Sequence, residues 1–124
     1  MLFRSTDMVE NMNHRLLVFV PEGDRESKTI PVDLQDRWTV RVVRRCADLF
    51  EGATAYGRGV GAWKDAGTIH WDRVTVVESW INPSTPRLRS RFRSLLRDLE
   101  RMRVELRQQI IGCMLDGRWM TPTE

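Results

Sequence analysis

The stretch from Gly52 to Pro83, GATAYGRGVGAWKDAGTIHWDRVTVVESWINP, decides the fold. Its second half, Thr68 to Ile81, is rich in valine, threonine, isoleucine and tryptophan, whose branched or flat side chains suit a pleated surface. Its first half, from Ala53, reads as an extended segment loosened by Gly57, Gly59 and Gly61 before Trp63. Asp65-Ala66-Gly67 between them is a turn signal, so the two halves predict a hairpin that ends at Asn82-Pro83.

Upstream, Arg15 to Val20 is a short apolar, β-rich run stopped by Pro21 and the polar stretch Glu22 to Lys28, which predicts a central strand and a loop. Asp33 is placed to cap a helix with Asp36 in its first turn. Leu34, Trp38, Val42, Cys46 and Leu49 or Phe50 then recur about every four residues on one face. The cluster Val40, Val42, Val43 favours a strand locally, but a pattern of about 17 residues is too long for one, and Gly52 suits the helix end. Downstream, Ser84 or Thr85 is a candidate cap with Pro86 at the first helical position. Leu88, Phe92, Leu95, Leu99, Met102 and Leu106 form the seam of a second helix. Ile110 to Leu115 reads as a last strand, Asp116-Gly117 as a turn, and Trp119 to Glu124 as a tail or brief return.

The element order is therefore βαββαβ. In an α+β chain this is the split-βαβ, ferredoxin-like arrangement: a four-stranded antiparallel sheet with two helices on one face. Residues 1–13 lack periodicity and are expected to form a flexible N-terminal arm, with residues 14–124 as a single domain. A chain of 124 residues leaves no room for a second large domain, and 41% apolar with 30% charged residues excludes a disordered or fibrous class. No apolar run approaches the roughly 18 residues of a membrane helix, and the first residues lack the pattern of a secretory signal, so the expected location is the cytoplasm.

The sheet face left bare by the helices is the informative one. Along Ile69 to Ile81 neither alternating set of residues is cleanly polar, and Ile110 to Leu115 also carries apolar groups on both sides. A second copy of the chain is the expected cover, a dimer being the first choice, with Trp71, Val76, Trp80 and Met114 as interface residues.

The formal charge is +3, and the basic residues are arginine apart from Lys28 and Lys64. A GC-rich genome accounts for such a bias without function, so only local clustering is informative. From Arg87 to Arg107 the second helix carries eight arginines against Asp98, Glu100 and Glu105. Arginines in its first turns oppose the helix macrodipole, so helix stability did not select them. Arg89, Arg93, Arg97 and Arg101 stand four apart and are the candidate partner-binding residues, for an acidic protein or for nucleic-acid phosphates. The competing reading is a solvated face with weak ion pairs to neighbouring acids.

Catalytic and metal motifs are sparse. His70 and Asp72 share a strand face and form a minimal general-base pair, but no serine or cysteine is placed as their nucleophile, and an ordinary cross-strand role accounts for both. Asp65, Asp72 and Glu78 are a weak magnesium set. Cys46 and Cys113 lack ligand spacing and read as buried small hydrophobes. No cofactor, metal or catalytic residue is expected.

Phe50-Glu51-Gly52-Ala53-Thr54-Ala55-Tyr56, then Gly57, Gly59, Gly61 and Trp63-Lys64-Asp65, and then Val74 to Glu78, resemble a group of small bacterial ferredoxin-like proteins. The hallmark of that group is a Phe-Gly-Gly-Ala-Thr stretch, a Trp-x-Asp turn and a valine-rich strand, and most of its members have no assigned activity. The resemblance covers roughly residues 45 to 80, and Glu51 departs from the usual first glycine. Gly52-Ala53-Thr54 with the later glycines is also similar to the second strand of PII-like signalling proteins. Those are trimers that bind nucleotides in clefts between subunits. That likeness implies a ligand site at Gly57, Gly59, Gly61 and Trp63, although the segment is neither a P-loop nor a dinucleotide fingerprint. The reading as a whole is a non-catalytic binding or regulatory module that self-associates through its sheet and meets an acidic partner through the second helix. Its alternatives are a nucleic-acid-associated accessory protein and a PII-like nucleotide-sensing oligomer.

Overall fold

The computed structural model describes residues 13–22 and 32–122. Seven elements follow one another: β1 (His14–Pro21), α1 (Val32–Phe50), β2 (Thr54–Asp65), β3 (Thr68–Ile81), α2 (Leu88–Glu105), β4 (Cys113–Leu115) and β5 (Arg118–Met120). The class is α+β, with two helices against one antiparallel sheet of order β2-β3-β1-β4-β5. The expected arm lies outside the described residues apart from Asn13, as do the polar loop after Glu22 and the side chain of Asp33.

The sheet has one strand more than four because Asp116 and Gly117 both adopt positive φ, 51° and 81°. Two such residues make the tight turn whose twist suits a hairpin, so the chain folds back as Arg118–Met120 beside Cys113–Leu115. Ala66 and Gly67 make the corresponding turn of the β2–β3 hairpin, with φ 49° and 82°.

Alternation along the strands separates the two faces. Leu16, Val18 and Val20 of β1, Val77 and Ile81 of β3 and Cys113 of β4 are buried against Trp38, Val42, Cys46 and Phe50 of α1 and Leu95, Leu99 and Met102 of α2. Val40, which argued for a strand, faces solvent, where its branching costs little. Between the helices, Arg45 of α1 donates to the Asp98 carboxylate at 2.5 Å and to Ser94 Oγ at 2.6 Å.

The start of α2 departs from expectation. The helix begins at Leu88 after Arg87, whose φ of 54° is left-handed, and no side chain caps it. Ser84 and Thr85 instead close a turn on Asn82: Asn82 Oδ1 accepts from the Ser84 N–H and hydroxyl, and the Asn82 carbonyl accepts from Thr85. Hydroxyls engaged in a local turn of this kind are not available as caps.

Candidate functional site

The open sheet face carries Arg15, Leu17 and Phe19 of β1 and the even residues of β3 from His70 to Trp80. Met114 and Trp119 join it from β4 and β5, as their pairing with Leu17 and with each other requires. Val76, Trp80 and Met114 thus lie on the face expected to be an interface. Trp71 does not: its odd position turns it to the opposite side, where it is 64% exposed.

Past Pro21↔Val74 the β2–β3 ladder continues without a third strand among the described residues, from Val60↔Arg73 to Asp65↔Thr68. This forms a two-stranded arm with Val60, Ile69 and Trp71 exposed on one side and Trp63 partly exposed on the other. Two strands alone are marginal in water, and an arm so rich in exposed apolar groups is a surface suited to contact.

Where the arm leaves the sheet, a hollow of about 540 Å³ opens on the bare face. Phe19, Trp119 and Trp63 form its aromatic walls, with Val74, Val76 and Met114 beneath. Phe19 and Trp119 lie 6.1 Å apart, ring centre to ring centre. Trp119 comes this close to the sheet because residue 112 is glycine. A Cβ there would meet the Met120 carbonyl oxygen at 2.5 Å and the Trp119 ring at 2.7 Å.

Gly59 and Gly61, expected as ligand-binding residues, line this hollow with Trp63, whereas Gly57 lies outside it, beside the irregularity between Tyr56 and Gly59. Neither Gly59 nor Gly61 has the positive φ that demands glycine, and a Cβ on Gly61 would meet nothing within 4 Å. Neither a positive φ nor a close contact among the described residues therefore calls for glycine at Gly61. What its missing side chain provides is space on the outside of the sheet.

Asp72 stands at the same hollow and accepts a 2.8 Å hydrogen bond from Trp63 Nε1, while His70 stacks on the Trp63 ring at 4.4 Å. His70 and Asp72, paired as a general base from spacing alone, are thus both engaged with Trp63, and no hydrogen bond joins them. No cluster of three metal-ligating side chains occurs among the described residues, so Asp65, Asp72 and Glu78 do not converge.

Farther along the same face is a network that the sequence reading missed. Glu78, buried, accepts from Tyr56 Oη at 2.8 Å and from Arg15 Nε at 2.7 Å, and the Arg15 guanidinium lies 5.9 Å from the centre of the Trp80 ring. The Tyr56 hydrogen bond, followed by the one from Arg15, holds the Glu78 carboxyl below its usual range, and Glu78 in turn raises the Tyr56 phenol. An ionised Glu78 and a protonated Tyr56 are the states that this hydrogen bond requires at neutral pH. The cross-strand pairs Arg15↔Trp80 and Thr54↔Glu78 assemble it, and that register cannot be read from one strand at a time.

The four arginines of α2 are also where their spacing put them. Arg89, Arg93, Arg97 and Arg101 are exposed, and none has an ion-pair partner among the described residues. Other arginines of the helix are structural: Arg91 donates to the Asp48 and Leu49 carbonyls at the end of α1, and Arg103 pairs with Glu100.

No protein-family model matches the chain, and no curated protein is similar to it. Among solved structures it is similar to a phage SAM lyase in complex with S-methyl-5'-thioadenosine, with TM-score 0.53 and 13% identity over 89% of this chain and 86% of that one. The apo state of phage SAM lyase gives 0.48 at 14% identity, covering 89% and 84%. A Bacillus cereus protein related to NIF3 gives 0.49 at 12%, covering 89% of this chain and 26% of that one. At these identities the likeness to the phage lyase complex is one of fold.

Proposed function

We propose that this chain is a self-associating module that binds a small aromatic ligand of the nucleoside class in the hollow between Trp63 and Trp119. The carrying observation is Gly61, whose missing side chain answers to no positive φ or close contact among the described residues yet opens the floor of an aromatic-walled hollow. A volume of about 540 Å³ suits a small organic ligand. Flat rings on three sides suit a base, and the Asp72 carboxylate, bonded to Trp63 through one oxygen, can accept from the hydroxyls of a ribose through the other. The exposed arm and Trp80 support self-association. The order of the first four strands supports a ferredoxin-like core extended by the β4–β5 hairpin.

Thermal melting with adenosine, S-methyl-5'-thioadenosine, the adenine nucleotides and their guanine counterparts tests the ligand half. A binder at a hundredfold excess over its Kd stabilises by about 2.7 kcal/mol. Melting curves unmoved by any of these compounds refute nucleoside binding. Sedimentation at micromolar concentration tests the other half, and a clean monomer refutes self-association.

A further inference from the structure

A second concavity lies on the other side of the molecule, between α2 and the β4–β5 end of the sheet. It is a groove of about 390 Å³, open along its length. Leu88, Phe92 and Leu96, one row of α2, form one wall, and Ile81, Leu115 and Met120 form the other. Phe92, Leu115 and Met120 are half-buried, so the apolar lining is not closed by the described residues. Arg89 and Arg93 stand on its rim, and His14, whose Nδ1 lies 2.6 Å from Asp116 Oδ2, stands at its end. No carboxylate belongs to the lining among the described residues. From Arg89 the arginine row continues through Arg93 and Arg97 to Arg101, parallel to the groove over about 18 Å of helix.

From this pairing of an apolar furrow left unfilled by the described residues with four guanidinium groups unpaired among them, we infer that α2 and the β4–β5 hairpin dock an acidic amphipathic helix of a partner protein. The partner's apolar side chains enter between Phe92 and Met120, and its aspartates or glutamates meet the arginine row. Of the acids of α2, Asp98 is committed to Arg45 and Glu100 to Arg103, while the exposed Glu105 stands one turn beyond Arg101 and ends the basic row. Apolar anchors at steps of three and four residues beside a charged rim are the requirements of helix-in-groove recognition. A nucleic-acid backbone would use the arginines but leave the furrow between Leu88 and Met120 unfilled, so the observations favour the protein partner. This surface lies on the opposite face of the β4–β5 hairpin from the Trp63 hollow: Leu115 and Met120 line the groove, Met114 and Trp119 the hollow.

The test uses a fluorescein-labelled 16-residue helical peptide with leucines at steps of three and four and glutamates flanking them. A scrambled peptide of the same composition and a 20-nucleotide duplex are the comparison probes, and the readout is fluorescence anisotropy with the full chain. The ordered peptide is expected to bind at least tenfold more tightly than the scramble or the duplex. R93E/R97E should weaken it at least tenfold, while R37E, the same kind of charge change at an exposed position of α1 outside the groove, should leave it within twofold. Hydrogen-exchange protection on adding the peptide should map to residues 88–101 and 115–120, a reading that needs no variant. Equal binding of the scramble, preference for the duplex, insensitivity to R93E/R97E in a folded variant, or protection elsewhere would each overturn the inference. Nucleoside melting shifts are read separately, so either assignment can fail alone.

Discussion

Trp63 and Asp72 are joined across the β2–β3 hairpin by a 2.8 Å bond from the indole N–H to the carboxylate, and this bond fixes the ring at the edge of the hollow. Asp72→Ala removes the acceptor from an exposed position, so unfolding in urea should change by less than about 0.5 kcal/mol. The melting shift given by the best nucleoside of the panel should fall by more than half. A full shift in Asp72→Ala would separate this carboxylate from binding.

Gly61→Val places a branched side chain where nothing stands within 4 Å. The backbone there does not require glycine, so stability should be unchanged or rise by up to about 1 kcal/mol, because the unfolded chain loses freedom. Ligand binding should disappear. Urea midpoints and melting shifts measured on the same preparation check both parts.

Asp98→Ala leaves Arg45 without its carboxylate between the helices. The loss should be about 1–3 kcal/mol in urea unfolding. Asp98→Asn, which keeps an acceptor, should lose less. Because Arg45 also donates to Ser94, Ser94→Ala combined with Asp98→Ala should be non-additive in a double-mutant cycle.

Stability should fall in acid with a slope to which three carboxylates contribute, Asp116, Glu78 and Glu100, the last held down by its hydrogen bond from Arg103. The Arg15 backbone N–H, and then His14, hold Asp116 below its ordinary 3.8, and the Tyr56 hydroxyl, and then Arg15, hold Glu78 below 4.5. A depressed folded value means that the unfolded chain takes the proton first. The contribution is therefore complete above the ordinary values and is lost as pH falls through the lower folded ones. Asp116→Asn and Glu78→Gln should each flatten the decline below about pH 5. At the alkaline end the sign reverses: Tyr56 is raised above 10.0, so its contribution is lost as pH rises through the folded value, and Tyr56→Phe should flatten that limb.

Cys46 should resist alkylation. Burial, with Cys113 adding to it, pushes its thiol up to about 12, so almost no thiolate exists at pH 8. Iodoacetamide labelling followed by mass spectrometry should modify Cys46 only in urea above the unfolding transition.

The helices and the long hairpin were legible because their signals are local. The α2 seam from Leu95 to Leu106 and the α1 face from Trp38 to Phe50 repeat with the helical period, and Asp65-Ala66-Gly67 marks its own turn. The Arg89 to Arg101 row was legible for the same reason. The Glu78 network was not, because it joins Tyr56 of β2, Arg15 of β1 and Glu78 of β3 through register. The fifth strand depended on positive φ at Asp116, which aspartate tolerates without announcing it. The left-handed Arg87 replaced the expected cap because Asn82 engaged both hydroxyls first, a competition that composition does not display. Trp71 was grouped with Val76 and Trp80 by its chemistry, although its odd position sends it to the other side.

The outer rim of β2 runs twelve residues from Thr54 to Asp65 with no neighbour on one flank among the described residues. Lys64 and Asp65 guard only its tip, and the bulge after Tyr56 deflects only its root. The middle, Gly59 to Ala62, offers bare amides and carbonyls to any extended polypeptide that drifts past. Such a rim is sticky before it is selective. Concentrated preparations should therefore gel or precipitate through this border, and a lysine introduced at Ala62 should keep them clear.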